Sequence, residues 1–334
     1  MAEAGSNCEF SRVTSWETFS GTTTNWDSLV ASLANSSIYH SSKWAKIQQQ
    51  RGWDVVYLRT DDSTSAAMVL MRRYGRLFCV SWLPGGVAGR TDAVNQQLAD
   101  TIRKLRQAWI HYIRIAFPSD HRRGIAYEEP WVPSKRRVGA SRSVVLDLTL
   151  SSDQLLAAAG PNWRRNLKRA RKTSVVVRPL GVEDAAAVDQ LQQVMVRYKG
   201  IQPRLPVSGG ELLLSLGESM IAIGVLEDGE LLSVRAVGAF GSVARDLIAA
   251  TSPSGRQIYS SYLATWTLVE RLKEVGVTTY DLGGIDEEDN LGVANFKLGT
   301  GGKVIRYPDE LEMSHPRTAL HLVAPIIAAR SRRI

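Results

Sequence analysis

The chain has 334 residues, 44% of them hydrophobic and 22% charged. That is the make-up of a globular protein with apolar material for two cores of ordinary size. Its net charge of +8 favours anionic partners, whether nucleic acid, a phosphorylated substrate or an anionic membrane surface. Two distant cysteines, Cys8 and Cys79, and five scattered histidines fit neither a metal-ligand spacing nor a disulfide framework, so no metal site is expected.

Met1 to Ser6 carries neither a basic n-region nor an apolar stretch, so it does not read as a secretory signal. No apolar run approaches the ~20 residues that span a bilayer, and a cytoplasmic protein is expected. Strands are predicted at Asp54 to Thr60, Ala66 to Met71 and Arg76 to Trp82, with Cys79 a buried strand residue. A glycine-rich stretch, Leu83 to Gly89, follows. Val94, Leu98, Ile102 and Leu105 make one stripe of a helix from Asp92 to Trp109. Tyr112 to Phe117 is the next strand.

The order then repeats after a Pro-rich connection. Ser143 to Leu148 is a strand, and Ser152 or Asp153 can cap a helix from Gln154. Val182 to Tyr198 is helical. Ile221 to Leu226, Glu230 to Phe240 and Val243 to Thr251 form a meander, turned at Asp228-Gly229. A helix from Tyr259 to Val275 ends at Gly276, and a strand covers Thr278 to Leu282. Each half offers a hairpin, a helix and a strand, an α/β pattern with mixed sheets.

The chemistry concentrates between Tyr280 and Tyr307. Gly283-Gly284 closes a strand and lets a ligand approach the backbone. An acidic loop, Asp286 to Asp289, follows. A short helix, Val293 to Leu298, then aims Phe296 and Lys297 at the opening, before Gly301-Gly302. The bland reading is a glycine turn beside a surface lysine. A second stretch, Trp163 to Lys172, holds six basic residues in ten. Arg164, Lys168, Arg171 and Lys172 fall on one helical face, with Arg165 and Arg169 beside them. The bland reading is a solvated face, yet like charges at i, i+4 repel, which favours an anionic partner.

The run Tyr280, Asp281, Gly283, Gly284, Phe296, Lys297, Gly301 and Gly302 resembles the Fem family, whose members build peptidoglycan bridges from aminoacyl-tRNA. The resemblance also takes in Asp147-Leu148-Thr149-Leu150, the basic stretch, Arg197-Tyr198-Lys199-Gly200-Ile201 and Thr251 to Tyr262. It implies two tandem acetyltransferase-like domains without a coiled-coil insertion, residues 1–142 plus 312–334 and residues 143–311. It implies peptide-bond formation, with Lys297 and Phe296 in the transfer site. Lys297 would stabilise the oxyanion or the leaving tRNA end, and the proton would go to the substrate itself or to Asp281 through a water. Lys43, Arg197, Tyr198, Arg204 and Tyr259 are the acceptor-binding candidates, and Trp44 is expected in the core. Arg164, Arg165, Lys168, Arg169, Arg171 and Lys172 are the tRNA-binding candidates.

The expected partners are aminoacyl-tRNA as co-substrate and a peptidoglycan precursor or a small antibiotic intermediate as acceptor. No cofactor, no DNA and a monomer are expected. The alternative is an acyl-CoA-dependent N-acyltransferase. Against it, Gly255-Arg256-Gln257-Ile258-Tyr259-Ser260 lacks a glycine pair where a helix N-terminus would hold a pyrophosphate. A binding-only module is a third reading. Leu320 to Ala329 is apolar, broken or kinked at Pro325 and followed by basic residues. It is expected to dock on the first domain, with peripheral contact to a membrane surface as a further expectation.

Overall fold

The computed structural model describes residues 15–90, 93–119, 125–200, 207–288 and 290–331. Among these residues, fifteen strands make two mixed sheets. The first contains β1 (Trp16–Thr18), β2 (Asp54–Thr60), β3 (Ser65–Tyr74), β4 (Phe78–Leu83), β5 (Ala88–Gly89), β6 (Ile110–Ile115) and β7 (Val132–Pro133). The second contains β8 (Arg142–Asp147), β9 (Val176–Pro179), β10 (Met220–Glu227), β11 (Glu230–Phe240), β12 (Val243–Thr251), β13 (Thr279–Gly284) and β14 (Lys303–Arg306). The last strand, β15 (Leu311–His315), returns to the first sheet. The spatial orders are β1-β2-β3-β4-β6-β15-β7, with β5 beside β3, and β14-β8-β13-β12-β11-β10-β9.

The helices are α1 (Thr23–Ala31), α2 (Ser42–Gln50), α3 (Gln96–Leu105), α4 (Ser152–Ala158), α5 (Pro161–Ala170), α6 (Ala185–Lys199), α7 (Gly209–Leu216), α8 (Pro253–Gln257), α9 (Ser260–Glu274), α10 (Leu291–Leu298) and α11 (Leu320–Ser331). The repetition of element order is real. In each half a hairpin (β3-β4, β11-β12) leads through a helix (α3, α9) to a strand parallel to the hairpin's second arm (β6, β13).

Element ends move where capping decides them. The helix expected from Asp92 starts at Gln96, because Asn95 is extended and its side chain accepts from the Leu98 amide at 3.0 Å. It stops at Leu105, since Arg106 is extended. The strand expected at Tyr112 begins two residues earlier and ends at Ile115. The basic helix ends at Ala170, so Arg171 is its C-cap and Lys172 lies in the turn beyond. Arg171 keeps helical backbone and continues the face of Arg164 and Lys168, so the expected four-cation face loses only Lys172 from the helix. Helix α11 runs through Pro325 without the break that was one of the two expectations there, and packs on β6 and β15.

Three apolar cores form. One lies between β3-β6 and α3, one between the second sheet and α5, α9 and α10. The third draws Trp26, Trp44, Ile47 and Met68 from the first half and Leu212, Leu216, Val234 and Phe240 from the second. The two chain crossings between the sheets are also tied together. Buried Glu310 accepts from Arg114 Nε at 2.7 Å and from the Gly139 amide at 2.8 Å, and the Tyr307 amide donates to the Ser141 carbonyl at 2.9 Å.

His111 on β6 is buried beside Ser81, with Nε2 to Oγ at 2.8 Å. Burial, then Arg103 and His315, push its pKa down to about 4. The native state therefore holds it neutral while the unfolded chain binds a proton below about 6.5. Stability should fall as pH drops from about 6.5 to about 4, by roughly 3 kcal/mol from this group. Urea titrations of wild type and His111→Gln across that window should differ in slope, and parallel curves would refute the assignment.

Candidate active site

Strand β12 pairs with β13 only over Val243 to Arg245, opposite Thr279 to Asp281. Beyond that the two strands diverge and leave a wedge. On its other side β12 carries a bulge, where Leu247 is the extra residue between the Ala236–Ile248 and Val237–Asp246 pairs. Strict alternation would send consecutive residues to opposite faces, and a bulge re-aims them. Here Arg245 and Asp246 both border the cleft.

Gly283 opens the β13 side with φ of +76°, a conformation that favours glycine. A Cβ there would lie 3.5 Å from Lys297 Nζ. Lys297, from α10, is buried and donates to the Gly284 carbonyl at 3.0 Å. Its ammonium thus stands over the glycine turn. Gly301, with φ of +78°, and Gly302 do a different job. A Cβ on Gly301 would fall 2.2 Å from the Ala158 carbonyl oxygen, so it lets α10 and the following strand pack against the end of α4.

Two buried carboxylates stand near the glycine turn. Asp281 accepts from Arg245 Nη2 at 2.7 Å, from Tyr307 Oη at 2.5 Å, from the Gly283 amide at 2.8 Å and from Ser143 Oγ. Four donors occupy its lone pairs, so a substrate-bound water has no place on it. The expectation of Asp281 as a base gives way to a positioning role. Among the described residues, Asp246 accepts from Arg235 Nη1 at 2.7 Å and from Tyr280 Oη at 3.1 Å. Burial raises its pKa against the opposing pull of Arg235 and Lys297.

Arg245 is squeezed in turn between the rings of Tyr39, 5.7 Å away, and Tyr307, 5.4 Å away. Burial pulls its pKa down, but Asp281 and the two tyrosines outweigh burial and the net shift is upward.

No protein-family model and no curated protein matches the chain. Solved structures do. A FemX crystal structure superposes with a TM-score of 0.77 over 92% of this chain and 100% of its own, at 15% identity. The chain has the Fem-like fold, with two mixed sheets and the same order of elements in each half. A C-terminal domain described as that of a putative lysylphosphatidylglycerol synthetase from Agrobacterium fabrum follows, with a TM-score of 0.55 over 92% and 97% of the two chains at 12% identity. L-PGS from Bacillus licheniformis gives 0.51 over 84% and 90%, also at 12%.

Within the Fem-like fold, Phe296 lies behind Lys297 in an aromatic chain. Its ring is 5.0 Å from the Arg235 guanidinium and 4.9 Å from Tyr262, edge to face. Tyr262 is 6.1 Å from Tyr259, whose hydroxyl accepts from Arg169 at 3.0 Å. The chain of rings thus runs from the glycine turn to the basic helix. Helix α5 buries Trp163, Leu167 and Ala170 and exposes Arg164, Arg165, Lys168 and Arg169. The Gly160 amide at its start donates to the Gly299 carbonyl at 2.9 Å, which fixes α5 against α10.

The acceptor candidates scatter. Arg197 borders the cleft. Tyr198 is 60% exposed, with the Arg256 guanidinium 4.9 Å above its ring. Tyr259 groups with the basic helix. Lys43, half-buried, donates to the Leu216 carbonyl at 2.9 Å and so joins α2 to the C-terminus of α7. Trp44 is buried as expected. Arg204 lies outside the described residues.

Sequence reasoning missed Arg235, Arg245, Asp246, Tyr39 and Tyr307. The available signal was charge inside otherwise apolar strands, in Val234-Arg235-Ala236 and Ala244-Arg245-Asp246-Leu247.

Proposed function

We propose that this protein transfers an aminoacyl group from aminoacyl-tRNA to an amine, forming an amide. The observation that carries the reading is the Lys297 ammonium held over the Gly283-Gly284 turn, at the end of an aromatic chain that begins on a basic helix. The acceptor nitrogen attacks the ester carbonyl and a C–N bond forms. The carbonyl π pair moves to oxygen, where Lys297 stabilises it. The attacking nitrogen loses a proton to Asp246, which keeps lone pairs that Asp281 lacks. Collapse breaks the C–O bond, and the ribose hydroxyl leaves with a proton. The sites hold the partners in line, and no covalent enzyme intermediate is required.

The acyl-CoA reading is opposed by the turn before α9. A Cβ on Gly255 would meet the Leu232 carbonyl at 2.6 Å, and its amide already donates to Ser252 at 3.0 Å. Ser260 Oγ donates to the Gly255 carbonyl at 2.9 Å, so the turn is filled by its own groups. Ribonuclease should therefore abolish product formation in an assay with a charged-tRNA pool and candidate amines, read by mass spectrometry. Product from acetyl-CoA alone would decide for the alternative.

The basic helix supplies a second expected result. Replacing Arg164, Lys168 and Arg171 by glutamine should weaken all tRNAs alike. It should also flatten log K against log salt by roughly 0.7–0.9 for each phosphate that is no longer neutralised. Unchanged affinity at two salt concentrations would place tRNA elsewhere.

A further inference from the structure

Helix α11 is not built as a helix docked on one side. From Leu322 to Ala329 its sequence holds no polar side chain. Every face is therefore apolar, and such a helix is covered all round or lies against a membrane. Val323 and Ile327 border the cleft and are half-buried. Leu322 and Ile326, also one turn apart, are 73% and 54% exposed. The β3-β4 turn and the connection before β6 extend the same surface. Tyr74, Leu77 and Ile326 border one space. The Trp109 and Ile110 amides donate to the Arg76 and Leu77 carbonyls at 3.3 and 2.9 Å, which sets Trp109 beside the β3-β4 turn. Trp109 is 77% exposed, more than any other large apolar side chain among the described residues. Tyr74, Leu77, Trp109, Leu322 and Ile326 join none of the three cores, and a contiguous apolar patch with a polar rim marks a contact surface.

The charge around this patch has one sign. Residues 71–80, 101–110 and 316–334 contain arginine or lysine and no carboxylate. Carboxylates that reach in from elsewhere are paired there, Asp54 with Arg106, Asp100 with Arg103 and Glu129 with Arg317. Arg73, Arg76 and Lys104 stay exposed, and the sequence of α11 leads into Arg330-Ser331-Arg332-Arg333. Exposed aromatic and aliphatic side chains among cations match the headgroup layer of an anionic bilayer. We propose that this corner of the first half seats the protein on an anionic membrane surface. Trp109, Leu77 and Leu322 enter the headgroup layer, and Arg76 and Lys104 meet lipid phosphates. Among the described residues no helix is long and apolar enough to cross a membrane, so α11 lies along the surface. A second copy of the chain fits less well, because a two-fold contact would set Arg76 and Lys104 against cations of the same patch. RNA would use the cations and leave Leu322 and Ile326 in water.

The inference is independent of aminoacyl transfer, since the binding it predicts needs no tRNA. In the test the whole protein is sedimented with vesicles of phosphatidylcholine, or of phosphatidylcholine and phosphatidylglycerol in equal parts. It should bind the mixed vesicles roughly tenfold or more tightly than the neutral ones, and rising salt should release it. Arg76→Gln with Lys104→Gln should weaken binding to mixed vesicles by about fivefold per charge. Trp109→Ser with Leu322→Ser should weaken it by about tenfold. Trp109→Phe should keep the binding and lose much of the tryptophan quenching by bromine-labelled acyl chains. All four positions are exposed, so the variants should fold, and circular dichroism checks that they do. Failure to bind the mixed vesicles, or equal binding to neutral ones, would overturn the proposal. A dimer that Trp109→Ser dissolves would give the patch to a second copy instead. Loss of tRNA affinity in Arg76→Gln with Lys104→Gln, with vesicle binding unchanged, would give it to RNA.

Discussion

Lys297→Met is expected to cut the rate of aminoacyl transfer by about a hundred- to a thousandfold, the usual cost of losing one preorganised partner of a developing oxyanion. The methionine, one atom shorter, fills most of the same buried space, so the fold should survive. Affinity for tRNA should hardly move, because the exposed cations of α5 lie away from the ammonium. The loss should therefore fall on kcat. Single-turnover rates with tRNA and acceptor both saturating would measure it. Turnover within about threefold of wild type would remove Lys297 from the reaction. Asp246→Asn separates the two roles proposed around it, since it keeps the hydrogen bonds from Arg235 and Tyr280 in outline but cannot take a proton.

Arg245→Met should destabilise the protein by about 3–5 kcal/mol, because it strands a buried carboxylate. Asp281 would lose its guanidinium, and the Pro118 carbonyl would lose the Nη2 donor that reaches it from the other half. Urea unfolding followed by circular dichroism would report the shift. Adding Asp281→Leu should recover only part of the loss, since it removes the stranded charge but leaves the Ser143, Gly283 and Tyr307 donors without their acceptor. A single variant as stable as wild type would mean that the pair is hydrated in solution.

Lys297 was legible because its surroundings are contiguous. The two glycines of the turn and the Phe296-Lys297 pair occupy one short stretch, and a glycine with φ of +76° leaves its mark in the residue type itself. The charged frame around them was not legible. Arg235, Arg245 and Tyr39 reach the wedge from three separate elements, and only strand pairing and the bulge at Leu247 bring them together. Asp281 was misread for a related reason. Its position beside the glycines is a sequence fact, but the four donors that occupy it come from residues 143, 245, 283 and 307. The tie from Lys43 to the Leu216 carbonyl, 173 residues away, was likewise out of reach of the sequence. In the fold, element order was plain from periodicity, while the ends depended on single caps such as Asn95.

The return of β15 into the first sheet sets a timetable for synthesis. It lies between β6 and β7, yet it leaves the ribosome roughly 200 residues after β6, a delay of about 10–40 s at ordinary elongation rates. Throughout that interval β6 presents an unpaired edge, and Arg114 and Tyr112 wait for Glu310 and Glu312. An open edge beside buried charges is an invitation to wrong pairing. The nascent chain is thus expected to depend on a holding chaperone until its last strand emerges, and its yield should fall sharply when translation is slowed between residues 142 and 311.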